Sequence, residues 1–127
     1  MLPEKVKTAL ANSKLWVLAT SGDTPNAVMN LFHEIDENDH LVFYQVFLNK
    51  TVENIKNGSS AAVVAHPQEG MEAYQIKGKA YYSTAQKLVD RGKQLTARHH
   101  MPCKGAVVVE PEVCYILTPG PDNGKIL

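Results

Sequence analysis

Lys50 and Thr51 are the residues of this 127-residue chain whose types and setting point most directly to chemistry. They follow the run Val42-Phe43-Tyr44-Gln45-Val46, which reads as a half-buried strand because it is rich in β-branched and aromatic residues. From Lys50 to Asn57 the chain reads as a short helix. Asn49 suits its N-cap, and Gly58 suits the left-handed position past its end. Lys50 and Thr51 then fall in the first helical turn. Backbone N–H groups there lack partners, and the helix dipole presents its positive end. An ammonium and a hydroxyl added to such a turn make a small site for a phosphate. A lysine at a helix start opposes the dipole by about 0.3–1 kcal/mol, a cost that a bound anion offsets. A solvated surface helix, with the lysine stem lying along its side, accounts for the same residues.

Other reactive side chains make weaker patterns. Ser-His-Asp order, HExxH, a Walker loop and GxGxxG are all missing, so no catalytic residue is assigned. His99 and His100 are neighbours at a helix end and point about 100° apart, which is poor geometry for chelating one ion. A solvated helix C-terminus, favoured by the dipole, is the plainer reading. Cys103 and Cys114 form no CxxC pair and are too few for a zinc cluster, so no metal is expected. His33 reads as a satisfied strand residue and Trp16 as core, while Tyr81 and Tyr82 face opposite ways on one strand.

The elements that position Lys50 and Thr51 follow from turns and periodicity. Pro3, Val6, Ala9 and Leu10 suggest a first helix with one apolar face. Leu15–Thr20 reads as a central strand, and Ser21-Gly22-Asp23-Thr24-Pro25 as a turn. Residues 26–35 read as a second strand and 41–46 as a third, an antiparallel meander. Ala61–Ala65 is a buried strand, His66–Gly70 a loop, and 72–82 a strand with a bulge at Gly78. Ser83-Thr84-Ala85-Gln86 has the form of a capping box, opening a helix to about Arg98. Gly105–Glu110 and Val113–Leu117 read as two last strands broken by Pro111. The expected fold is mainly β (α+β): a six- to seven-stranded antiparallel split barrel with short flanking helices. A single domain over residues 1–118 is followed by a polar tail, 119–127.

With this order of elements, Pro25-Asn26-Ala27-Val28-Met29-Asn30 and Asn49-Lys50-Thr51-Val52-Glu53-Asn54 resemble the FMN-binding split barrels of the pyridoxamine 5′-phosphate oxidase superfamily. The chain is most similar to its short, single-domain FMN-binding proteins. The resemblance implies FMN as cofactor, with its phosphate on Lys50 and Thr51 and Asn49 within reach of the phosphate or ribityl chain. It implies that Val28, Met29, Asn30 and Leu31 hold the ring, largely through backbone groups, with Val46, Phe47 and Leu48 beside it. It also implies a homodimer with flavin near the subunit interface, and a small-molecule or protein redox partner. A haem- or deazaflavin-binding split barrel, or a non-enzymatic dimeric binding module, are the alternatives. The longer oxidases of this superfamily end in an arginine-bearing substrate segment. The tail here has Lys125 and no arginine, so oxidation of pyridoxamine phosphate is not expected.

Bulk composition narrows the partners. Thirteen basic and thirteen acidic side chains balance, whereas a nucleic-acid binder needs a basic excess. No apolar run approaches a membrane span, and the N-terminus lacks a signal pattern. The expected location is the cytoplasm, with the cysteines as free thiols.

Overall fold

The structure is a computed structural model and describes residues 2–65 and 67–127. The expected loop over His66–Gly70 therefore includes one residue, His66, that lies outside the described residues. Seven antiparallel strands form one sheet that curls into a half-barrel. They are β1 (Trp16–Ser21), β2 (Pro25–Asn30), β3 (His33–Ile35), β4 (Leu41–Tyr44), β5 (Ala61–Ala65), β6 (Tyr74–Ser83) and β7 (Ala106–Ile116). Their order across the sheet is β2-β1-β5-β6-β7-β4-β3. Three helices accompany it: α1 (Glu4–Ala11), α2 (Asn49–Lys56) and α3 (Gln86–Thr96).

Alternation explains where the core lies. On β1, Trp16, Leu18 and Thr20 face inward, and their partners on β2 are Asn30, Val28 and Asn26. Leu2, Val6 and Leu10 at the α1 end and Val52 and Ile55 from α2 join the same interior cluster. All four β4 residues are buried because both faces are covered. Leu41 and Phe43 face the interior, while Val42 and Tyr44 join an outer cluster with Cys103 and Ala106, packed by Leu88 and Leu95 of α3. Gly92 lets α3 come this close. A Cβ there would sit 2.2 Å from Cys103 Sγ and 3.0 Å from Tyr44 Cδ1.

Four expectations change. The single strand over 26–35 is two strands, because β2 pairs with β1 while β3 pairs with β4 across the barrel. The meander therefore stops after the first hairpin. The chain turns a corner at Leu31-Phe32, held by Tyr44 N–H donating to Phe32 O at 2.9 Å. The last two strands are one: Pro111 sits opposite Gly78, where the register shifts, and Glu112 is the extra residue of the bulge. Proline is tolerated there because a bulge leaves a ladder position unpaired. The capping box does not form. Ala85 is the N-cap of α3, Ser83 Oγ accepts from Ala85 N–H at 3.2 Å, and Gln86 reaches forward to Asp90.

The tail is not free of the domain. Ile116 N–H donates to Lys125 O at 2.9 Å, Leu127 N–H donates to Cys114 O at 2.9 Å, and Tyr115 bridges to Ile126.

Candidate functional site

Two side-chain amides of β2 join the two segments that the sequence singled out. Asn26 Nδ2 donates to Thr51 Oγ1 at 3.1 Å, tying the start of β2 to the first turn of α2. Asn30 Nδ2 donates to Tyr44 O at 3.3 Å, tying the end of β2 to the end of β4. Asn26 and Asn30 share the inward face because strand side chains repeat every two residues. Asn26 also reaches Thr20 Oγ1, which accepts a further hydrogen bond from Asn54 Nδ2 at 3.0 Å. This buried polar set fixes α2 against the β1–β2 hairpin.

Helix α2 begins at Asn49, with Leu48 as its N-cap and no side-chain cap. Asn49 is therefore the first helical residue and not the cap expected. Gly58 does take the left-handed position, with φ of 97° and its N–H donating to Ile55 O. No hydrogen bond from the N–H groups of Asn49, Lys50 or Thr51 is formed among the described residues. The start of α2 is thus uncapped, and it meets solvent at Asn49 and Lys50 while Leu48 and Thr51 are buried.

The candidate residues divide by burial. Asn49 and Lys50 are exposed, and the Lys50 ammonium meets Glu53 at 3.4 Å. Thr51 is fully buried with its oxygen on Asn26. Leu48 turns into the core. Val28 and Val46 are half-buried, and Asn30 is buried. Met29, Leu31 and Phe47 project outward with 70%, 53% and 78% of their surface exposed. Phe47 also holds a φ of 59°, a conformation that costs an L-residue energy and that clusters at ligand sites.

The turn from Gln45 to Leu48 is anchored at its first residue. Gln45 N–H donates to Gly105 O at 2.8 Å, and the Tyr82 hydroxyl donates to Gln45 Oε1. Tyr82 lies under the Lys56 ammonium, 4.9 Å from the ring centre. Gln45 drew no attention in the sequence as a site residue, and Tyr82 only as one of two tyrosines facing opposite ways. Their signal was only that an amide ends an apolar strand.

On the other side of β4, Arg91 of α3 holds both carboxylate oxygens of Glu34, and the Tyr44 hydroxyl donates to Glu34 Oε2 at 2.7 Å. These groups line a cavity of about 790 Å³ between α3 and the β3–β4–β7 face, to which none of the candidate residues contributes. The Arg91 guanidinium holds the Glu34 carboxyl below the usual carboxylate range. Burial and the Glu34 carboxylate push the Tyr44 hydroxyl well up. Because the folded Glu34 binds its proton less readily than the unfolded one, this contribution to stability is present above about pH 4.3. It is lost as pH falls through the lower folded value. Glu34→Gln should therefore flatten the acid limb of a stability–pH curve measured by urea denaturation, and leave the neutral limb without that slope.

The remaining candidates are structural. Trp16 is core and stacks on His33, 3.9 Å between centroids, and His33 Nε2 donates to Lys14 O at 2.9 Å. His99 and His100 are both exposed, with His99 edge-on to Phe32. Tyr81 is exposed and Tyr82 half-buried, as alternation requires. Cys103 and Cys114 are free thiols. No cluster of potential metal ligands occurs among the described residues.

A sequence model of the family described as pyridoxamine 5′-phosphate oxidase matches residues 2–118. An uncharacterized protein of Methanocaldococcus jannaschii is 30% identical over 131 residues, covering 99% of this chain and 87% of that protein. Among solved structures, HupZ of Group A Streptococcus superposes with a TM-score of 0.80 at 19% identity, covering 98% of this chain and all of that one. An FMN-binding protein from Syntrophomonas wolfei does so with a TM-score of 0.76 at 16% identity, covering 92% and 86%.

Proposed function

The chain belongs to the pyridoxamine 5′-phosphate oxidase family, and from that premise we propose that it binds FMN at the start of α2 and works as a flavin-dependent oxidoreductase or electron-transfer protein. The observation that carries this reading is the open helix start. The partnerless backbone N–H groups of Asn49 and Lys50, both exposed residues, and the Lys50 ammonium stand at one end of a surface. The apolar side chains of Met29, Leu31 and Phe47 stand exposed on the segments beside it. A phosphate dianion suits the first part and a flat, mostly apolar ring the second.

Each residue has a role in this proposal. Lys50 supplies a charge-assisted contact and Asn49 lies beside it. Thr51, fully buried with its oxygen on Asn26, orients the turn from beneath. Val28 to Leu31 and Val46 to Leu48 hold the ring, the exposed members by shielding it from water. The flavin supplies the redox chemistry when bound, so the chain needs no nucleophile or general base of its own. A second copy of the chain covering Met29, Leu31 and Phe47 completes a homodimer with the cofactor near its interface. No helix among the described residues is long and apolar enough to cross a membrane, and the proposed setting is the cytoplasm, with a small molecule or a redox protein as partner.

The test is the absorption spectrum of the purified protein, before and after FMN and then a nicotinamide reductant. Flavin bands near 1:1 stoichiometry, bleached by the reductant, are expected, together with a dimer by light scattering. A colourless protein that takes up no FMN, or one showing a Soret band, overturns the proposal.

A further inference from the structure

Asn30 Oδ1 is a buried polar atom with no partner, and the residue keeps only 4% of its surface exposed. Leaving a buried acceptor unpaired costs about 1–3 kcal/mol. Its orientation is set, because Nδ2 of the same amide is already spent on Tyr44 O. The peptide that this carbonyl belongs to continues into Gln45. There the roles are reversed: Gln45 Oε1 accepts from the Tyr82 hydroxyl, and Gln45 Nε2 makes no hydrogen bond among the described residues. One peptide unit thus carries a free acceptor on one side, through Asn30, and a free donor on the other, through Gln45.

A free acceptor can be satisfied only by a donor. A phosphate at neutral pH offers none, and neither does a haem macrocycle with its pyrrole nitrogens on iron. An oxidised flavin ring offers a single N–H, at N3, flanked by carbonyls at C2 and C4. We infer that the Asn30 and Gln45 side chains read this imide edge, Asn30 Oδ1 accepting from N3–H and Gln45 Nε2 donating to a neighbouring carbonyl. The inference rests on the flavin reading above and goes beyond it, since that reading gave Asn30 only its backbone and Gln45 no part. The ligand class becomes a planar ring with a CO–NH–CO edge. Asn30 Oδ1 is closed to solvent, so the ring edge reaches it by parting the 45–48 turn from the end of β2. That turn carries the left-handed Phe47.

Wild-type protein titrated with FMN and with N3-methyl-FMN, followed by flavin fluorescence, tests this without altering the fold. The methyl group removes the donor and should weaken binding about tenfold or more. Asn30→Leu, checked for folding by circular dichroism, should bind both ligands with equal affinity, and Gln45→Met should weaken both alike. With ¹⁵N3-labelled FMN, the bound N3–H signal should persist against solvent exchange in the wild type and disappear in Asn30→Leu. Equal binding of FMN and N3-methyl-FMN by the wild type overturns the inference while leaving flavin binding intact. Failure to bind either ligand strikes the flavin reading itself.

Discussion

Gly78→Ala is expected to cost about 3 kcal/mol or more, the upper end of what overpacking a well-packed site costs. A Cβ at Gly78 would lie 2.0 Å from Glu110 O, 2.8 Å from Glu110 C and 3.1 Å from Pro111 Cα. All three are backbone atoms of the paired strand, so no rotamer change relieves the clash. Relief requires β6 and β7 to separate at the bulge, and this pairing runs over the longest stretch of the sheet. A small domain holds about 5–15 kcal/mol of total stability, so the loss is a large share. Gly58→Ala is the control: nothing lies within 4 Å, and only the φ of 97° opposes it, at a cost of about 1 kcal/mol. Urea midpoints at constant slope should rank wild type above Gly58→Ala and Gly58→Ala well above Gly78→Ala. An equal loss in the two variants would mean that the bulge does not bring the strands this close.

Much of this architecture was legible because local signals and tertiary packing agree. Gly78 broke the alternation of its strand, and a bulge is the usual reason. Gly58 closed α2 where a left-handed residue was needed. What could not be read were features set by residues far apart in sequence. Residues 26–35 alternate without a glycine or proline at Leu31-Phe32, so nothing local marks the corner that sends β2 and β3 to opposite edges. Pro111 read as a break because its partner, Gly78, is 33 positions away in the chain and supplies the bulge that accommodates it. Asn49 and Ser83 have good capping chemistry, yet both lie where the preceding strand or turn fixes the backbone first.

The candidate site was legible to a similar depth. The strand–turn–helix pattern found Lys50 and Thr51, and β2 was found through its resemblance. The inward face of β2 was not, because an amide on an apolar strand looks like a surface residue until its partners are known. Asn26 and Asn30 are four apart and so on one face; Asn26 bonds the first turn of α2 beside Lys50, and Asn30 bonds the end of β4 that leads to it.

Lys50→Ala is expected to weaken FMN binding by about tenfold to 150-fold while leaving the fold as stable as before. The range is the 1.5–3 kcal/mol of a hydrogen bond to a charged group, converted at 1.4 kcal/mol per tenfold. Stability should hold because, among the described residues, the only partner of this ammonium is Glu53, one helical turn on and just as exposed. Surface pairs of this kind are worth about 0–1 kcal/mol, and removing a cation from the positive end of α2 returns part of that. Lys50→Glu should bind more weakly still, since it sets a carboxylate against the phosphate. Riboflavin, which has the ring and no phosphate, separates the two ends of the site: wild type and Lys50→Ala should bind it equally. Binding of FMN should also fall with added salt in the wild type and lose most of that dependence in the alanine variant. If wild-type protein binds riboflavin as tightly as FMN, the uncapped start of α2 is not where the phosphate goes. The free N–H groups of Asn49 and Lys50 would then be left to water.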